Sequence, residues 1–270
     1  MKKTLCAGLL IIGLITYSCT HGPYSSTNKI YKQQVKQYAK MLAQVPVKDS
    51  LGIIAKDWVG TTNFNIRKPN FVILHHTAQN SCEQTLRTFT TAKSQVSAHY
   101  VICKDGTTHH MLNDYLRAWQ AGVSRWGNLT DINSSSIGIE IDNNGFEPFT
   151  DAQINSLIQL LATLKKSYGI PAANFIGHLD IAPGRKVDPN IRFPWKKLAD
   201  QGFGLWYNDT TNVTVPPAFN YLQALRIVGY DIKDSSSAFG SFNLHFVQDS
   251  TKRLSDAGKK ILYQLYRKYQ

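Results

Sequence analysis

The chain's 270 residues suffice for one enzyme-sized core and a small appendage, and 43% hydrophobic side chains with 18 glycines exclude a fibre, a disordered chain or a minimal disulfide scaffold. Thirty basic against 18 acidic side chains give a net charge of +12, which suits nucleic acid, a membrane surface or an acidic polymer. No basic tract, stacking motif or recognition helix supports nucleic acid.

Lys2 and Lys3 precede an apolar run over residues 5–15 and then Thr16-Tyr17-Ser18-Cys19, the layout of a secretory signal peptide over residues 1–18. The run is too short to span a bilayer as a helix. A small residue before Cys19 matches a lipoprotein signal, whose cleavage leaves Cys19 to carry a lipid anchor; plain secretion and an uncleaved anchor are the alternatives. Cleavage removes two lysines and no acid, so the net charge falls only to +10. Cys82 and Cys103 then remain, either as a disulfide or as two buried thiols; neither belongs to a CxxC pair.

Residues 19–28 read as a polar tether and residues 29–44 as an amphipathic helix, with Ile30, Val35, Tyr38, Met41 and Leu42 toward one side. A loop through Pro46 and Asp57 follows. The apolar run Phe71-Val72-Ile73-Leu74 enters His75-His76-Thr77, an inner strand whose end emerges into a site. Ser81 caps a helix expected over 82–94, and residues 99–103 and 107–112 flank Lys104-Asp105-Gly106 as a hairpin. Residues 113–135 read as a long loop over one sheet end, and Ile137 to Ile141 as a further strand. Thr150 or Asp151 opens a helix with Ile154, Leu157, Ile158, Leu161 and Leu164 on its buried face, ended by Gly169 and Pro171. Residues 174–176 form a short strand delivering Gly177-His178, and a loop leads to Asp188-Pro189. Strands alternating with helices predict an α/β (α+β) fold: a central mixed β-sheet flanked by helices. Beyond a linker near residue 211, helical patterns around 219–227, 239–246 and 257–269 make residues 212–270 a small all-helical C-terminal domain, or else helices that complete the main core.

Chemistry concentrates at the strand ends. Zinc accepts imidazole nitrogen and carboxylate oxygen, and three protein ligands leave a position open for hydrolysis; His75, His178 and Asp188 can supply such a set. Paired histidines at a strand end serve equally as hydrogen-bonded structural residues. Glu140 lies on the strand face opposite Ile137, Ile139 and Ile141, which suits either a general base in a site or a surface glutamate. Lys186 fits an oxyanion-stabilising role or plain solvation.

The segments Ile73-Leu74-His75-His76-Thr77-Ala78, Ser97-Ala98-His99-Tyr100, Ile137-Gly138-Ile139-Glu140 and Gly177-His178 through Asp188-Pro189 stand in the order that resembles the zinc N-acetylmuramoyl-L-alanine amidases. That family shares its fold with peptidoglycan-recognition proteins and amidase-type phage lysozymes. The likeness covers residues 50–200, and the layout is similar to the lipoprotein branch of Gram-negative outer membranes. Phe242-Asn243-Leu244-His245-Phe246 resembles that branch's helical peptidoglycan-binding-like domain. The resemblance implies a catalytic domain over 29–208 holding one Zn2+ per chain on His75, His178 and Asp188. It implies Glu140 as the water-activating base, Lys186 as transition-state support, and His76 in packing behind the ligands.

The implied reaction hydrolyses the amide between the lactyl group of N-acetylmuramic acid and L-alanine, with peptidoglycan or muropeptides as partner. The implied setting is a monomer anchored by lipid to the outer membrane and facing the periplasm. Asn113, Trp119 and Arg185 are candidate substrate contacts at the cleft rim. Two departures stand out: Asn190 follows Asp188-Pro189 where relatives often have glycine, and Gln120 stands where many carry histidine, which points to altered substrate contacts in that loop. A non-catalytic peptidoglycan-binding protein is the alternative; loss of a zinc ligand would favour it, and all three are present.

Overall fold

The computed structural model of the protein describes residues 22–44 and 60–269. The signal peptide, Cys19 and the loop through Pro46 and Asp57 lie outside the described residues. The described chain falls into two units divided between Asn63 and Phe64.

The first unit contains helix α1 (Ser25–Leu42), which buries none of its residues. It begins four residues earlier than its apolar periodicity predicts, inside the stretch read as tether. The hydroxyl of Thr27 donates to the Tyr24 carbonyl at 3.0 Å, so the polar Ser-Ser-Thr-Asn lead-in continues the helix instead of preceding it.

The second unit is built on a five-stranded sheet in the order β3-β2-β4-β1-β5. Its strands are β1 (Phe71–His76), β2 (Tyr100–Ile102), β3 (Thr108–His110), β4 (Ser136–Ile141) and β5 (Phe175–Gly177). Strand β1 pairs in parallel with β4 and β5, β2 pairs in parallel with β4, and β3 closes an antiparallel edge hairpin. A central parallel strand is covered on both faces, which explains the continuous apolar run that opens β1.

Between β1 and β2, α2 (Cys82–Thr90) starts at Ser81, whose side chain accepts from the Gln84 N–H. It stops short of the expected residue 94. Thr90 and Thr91 turn their hydroxyls back onto the carbonyls of Leu86 and Arg87 at 2.8 and 2.7 Å, and Thr91 goes extended before a 3₁₀ turn at Ala92–Ser94. Cys82 and Cys103 are disulfide-bonded with Cα atoms 5.2 Å apart, tying α2 to the end of β2.

The loop after β3 ends in a single turn, α3 (Ile132–Ser135), started by the Asp131 side chain accepting from the Ser134 N–H. Helix α4 (Asp151–Tyr168) follows its predicted bounds because both ends are encoded locally. Thr150 and Gln153 form a reciprocal capping box, and Gly169 takes the left-handed conformation at φ 66°. After β5 come α5 (His178–Ile181), where the sequence reads as loop, and α6 (Trp195–Ala199). The C-terminal helices are α7 (Tyr221–Val228), α8 (Ser235–Phe242), continued by a π turn at Asn243–Val247, and α9 (Asp256–Tyr269).

Strand alternation divides this unit into two cores. Val72, Leu74, Ile137, Ile139 and Ile141 join Ile154, Leu157, Leu161 and Leu164 of α4. On the other face, Ile73 and Ile176 join Leu225, Val228, Phe242, Phe246, Leu262 and Leu265, so the C-terminal helices share a core with the sheet. That second face also carries the site.

Candidate active site

His75 and Glu140 are register partners across the parallel β1–β4 pair, so their side chains leave the same face of the sheet. His76 is buried on the opposite side of its strand, its ring packed against Gly145. His178 opens α5 directly after β5, and Asp188 returns beside it, its carbonyl accepting from the Leu179 N–H at 2.8 Å.

These elements bring His75, His178 and Asp188 together, all buried, with one donor atom from each within 4.8 Å of the others. Nδ1 of His75 and Nδ1 of His178 each lie 3.0 Å from the same carboxylate oxygen, Asp188 Oδ2. The far nitrogens are committed elsewhere: His75 Nε2 to Gln120 Oε1 at 2.6 Å, and His178 Nε2 to the Ala121 carbonyl at 3.1 Å. Both far partners are acceptors, so a proton on each Nε2 leaves each Nδ1 either to donate to Asp188 when the ring is protonated or to offer a lone pair to a cation. Three electron-pair donors aimed at one point are satisfied by a cation. Two imidazole nitrogens and a carboxylate oxygen form a donor set for Zn2+ that leaves a coordination position open.

The charge balance differs between the two histidines. Burial pushes His178 down to about 4, which keeps it neutral at physiological pH. Burial also opposes charge on His75, but Glu140 and Asp188 outweigh it and raise its pKa. Asp188 pays for burial too, yet the hydrogen bonds from His178 and His75 hold it well below the usual carboxylate range. Glu140 is pushed up to about 7, chiefly by burial. Its Oε1 lies 4.0 Å from His75 Nδ1, and its Oε2 is buried without a hydrogen-bond partner, a group held ready to exchange a proton.

The remaining predicted residues distribute around this centre. Lys186 is partly buried, and its charge acts on Glu140, His76 and His178. Arg185 Nη2 donates to the carbonyls of Ala121 and Val123, both at 2.7 Å, bracing the loop whose Ala121 carbonyl orients His178. Trp119 is 55% exposed beside Gln120, its backbone N–H donating to Ser97 Oγ. Asn113 is exposed and closes a turn by accepting from the Tyr115 N–H; it shares no hydrogen bond with the centre.

Two further residues support the site. Gln120, expected to bear on substrate contacts in its loop, is buried between His75 and Ser136, and its Nε2 donates to Ser136 Oγ at 2.7 Å. Gly138 makes the room, since a Cβ there would stand 2.6 Å from Gln120 Cγ. Asp180 is fully buried. One oxygen accepts from the Gly177 N–H at 2.7 Å and from His245 Nδ1 at 2.8 Å, and the other from the Tyr230 hydroxyl at 2.6 Å. The segment delivering His178 is therefore anchored by residues of the C-terminal helical region. Asp180 stands inside the Gly177-to-Pro189 motif, so the motif marks its place; its distant partners leave no pattern in the sequence. Asn190 donates through Nδ2 to Asn143 Oδ1 at 2.9 Å, so its side chain ties the turn after Asp188 to the loop after β4.

A family model for N-acetylmuramoyl-L-alanine amidase matches residues 65–191. The chain is 33% identical over 207 residues to N-acetylmuramoyl-L-alanine amidase AmiD of Escherichia coli K12, covering 65% of this chain and 74% of that protein. It is 41% identical over 104 residues to 1,6-anhydro-N-acetylmuramyl-L-alanine amidase AmpD of Haemophilus influenzae, covering 38% and 56%. Among solved structures, AmpDh3 of Pseudomonas aeruginosa matches with TM-score 0.70 at 31% identity, covering 80% of this chain and 98% of that one. E. coli AmiD in complex with anhydro-N-acetylmuramic acid-L-Ala-D-γ-Glu-L-Lys matches with TM-score 0.68 at 28% identity, covering 78% and 93%.

Proposed function

The chain belongs to the N-acetylmuramoyl-L-alanine amidase family, and from that premise we propose how its own residues carry the reaction. It is a zinc-dependent amidase that cleaves the bond between N-acetylmuramic acid and L-alanine in peptidoglycan. The observation that carries this is the convergence of two Nδ1 nitrogens on one carboxylate oxygen beside Glu140, whose buried Oε2 has no hydrogen-bond partner. Bound there, Zn2+ supplies Lewis-acid polarisation of the lactyl carbonyl and acidifies a water molecule.

Glu140 takes the proton of the attacking water and returns it to the amine of the departing L-alanine. A pKa near 7 suits a group that acts first as base and then as acid. Lys186 places positive charge where the carbonyl oxygen becomes anionic. Trp119 offers an exposed aromatic face to the sugar or stem peptide. Arg185 holds the 121–123 loop over His178 and contributes positive charge toward stem-peptide carboxylates, with Asn113 farther along the rim.

The working compartment is the cell envelope, in wall turnover or recycling. The Cys82–Cys103 disulfide supports an oxidising environment. In this reading, cleavage before Cys19 and its acylation tether a monomeric enzyme to the outer membrane, facing the periplasm. No helix among the described residues is long and apolar enough to cross a membrane. The test is digestion of purified peptidoglycan with identification of the new ends. Free lactyl carboxylate and free L-alanine amine, abolished by chelator and restored by Zn2+, are expected; cleavage between sugars overturns the proposal.

A further inference from the structure

Helix α1 is chemically unlike the rest of the chain. Its sequence, Ser-Ser-Thr-Asn-Lys-Ile-Tyr-Lys-Gln-Gln-Val-Lys-Gln-Tyr-Ala-Lys-Met-Leu, contains four lysines and no acidic residue. At about 100° per residue, Lys29, Lys32, Lys36 and Lys40 fall within an arc of about 80°. Ile30, Tyr31, Val35, Tyr38, Met41 and Leu42 occupy an arc of about 140° on the opposite side. Ile30 is 54%, Tyr38 50%, Met41 59% and Leu42 81% exposed, and no residue of the helix is buried. None of the four lysines forms an ion pair with a described residue. Within its own unit the helix thus has an apolar side without a described partner and a cationic side without a described counter-charge.

We propose that α1 is a membrane-surface helix that lies in the interface of an anionic bilayer, with its apolar arc sunk among the acyl chains. Three observations select lipid over other occupants. The uncompensated +4 charge complements an anionic surface, and at a helix diameter of about 10–12 Å the lysine heads stay within about one Debye length of it. Tyrosine in the apolar arc suits a boundary that is greasy below and wet above. The arc is too short for a self-pairing seam, since its apolar repeat spans fewer than three heptads and is interrupted by Gln34. About 27 Å of helix lying flat gives the enzyme a membrane attachment of its own. The inference rests on the cell-envelope reading for the lipid it meets, and not on acylation of Cys19.

The test uses the chain beginning at residue 20, which lacks Cys19, with mixed phosphatidylglycerol–phosphatidylcholine vesicles against phosphatidylcholine alone. Co-sedimentation is expected with the mixed vesicles, weakened at least about tenfold on the neutral ones and by added salt. Replacing Lys29, Lys32, Lys36 and Lys40 by Gln lowers partitioning by about tenfold, at roughly twofold per lysine one Debye length from the surface. Ile30→Gln with Leu42→Gln lowers it at least about tenfold with the charge unchanged. Both variants hydrolyse a soluble muropeptide at the wild-type rate. Equal partitioning of all three proteins overturns the proposal, and so does concentration-dependent self-association through α1 without vesicle binding. Acylation is read separately, as a Cys19-dependent mass increase in the full chain, so either idea can fail without the other.

Discussion

The two faces of the sheet are built by different logic. On the α4 face the inward side chains are apolar from Val72 and Leu74 to Ile137, Ile139 and Ile141, with buried His76 the exception at the end of β1, and the covering helix is a single amphipathic segment with both ends capped by its own sequence. The other face starts apolar at Ile73 and Ile176 and turns polar at His75 within β1 and at His178, which opens α5 just past β5. Helices from the far end of the chain cover its apolar part, and the loop around Gln120 covers its polar part. The first face can lose a side chain and lose only stability. The second couples packing to chemistry, because Asp180 links the segment carrying His178 to Tyr230 and His245.

The largest expected effect comes from Glu140→Gln. Removing the proton acceptor without removing a ligand lowers kcat by about 10³-fold, within the range of general acid–base contributions, while zinc content stays at one per chain. Full turnover in this variant removes Glu140 from the mechanism. His75→Ala or His178→Ala, by contrast, abolishes both zinc content and turnover.

The two faces separate next in a pair of truncations of similar cost. Leu157→Ala empties a fully buried site on the α4 face and destabilises by about 3 kcal/mol, leaving zinc affinity per folded molecule unchanged. His245→Ala removes a ring stacked 3.8 Å from Trp195 and leaves the buried Asp180 short of one donor, again at about 3 kcal/mol. Here zinc affinity falls as well, because Gly177 and His178 lose a fixed anchor. Zinc competition and thermal denaturation on the same samples give both readouts. Equal zinc affinity in the two variants would show that the faces differ only in appearance.

This contrast also explains what could be read from the sequence. Helix α4 was legible because Thr150, Gln153, Gly169 and the Ile154-to-Leu164 periodicity are local signals. The His75, His178 and Asp188 set was legible because its short motifs stand in the order of a known family. The early end of α2 was not, since it depends on which carbonyls Thr90 and Thr91 choose. The pairing of Cys82 with Cys103 depends on sheet geometry 21 residues apart. Gln120 read as a loop position bearing on substrate contacts because only the tertiary fold places it opposite Gly138, where the missing Cβ lets it reach His75.

A smaller effect appears at the seam beside the site. His99 is fully buried, accepts the Gly138 N–H at Nδ1 and donates from Nε2 to the Leu116 carbonyl. Burial, with the Arg67 guanidinium nearby, pushes it down to about 4 from an ordinary 6.5. Between those values the unfolded chain binds a proton that the folded chain refuses. The stability His99 contributes is therefore complete above pH 6.5 and lost as pH falls toward 4, by about 2 kcal/mol at pH 5. Denaturant titrations of wild type and His99→Gln measure it: the variant's stability falls less steeply over that window, and parallel slopes would assign the acid sensitivity elsewhere.

The smallest effect probes the polar cover itself. Gln120→Ala removes the acceptor that fixes the His75 tautomer and leaves Ser136 Oγ without its donor, and zinc affinity falls about tenfold. Gln120→Glu keeps an acceptor for His75 Nε2 while losing the bond to Ser136, so zinc affinity recovers even though the fold gains nothing. A histidine ligand backed by a carboxylate is a stronger base than one backed by an amide, which puts the recovered affinity at or above wild type. If Gln120→Glu binds zinc as poorly as Gln120→Ala, the residue fills space over Gly138 and does not orient His75, and the polar cover would then follow the same packing rules as the α4 face.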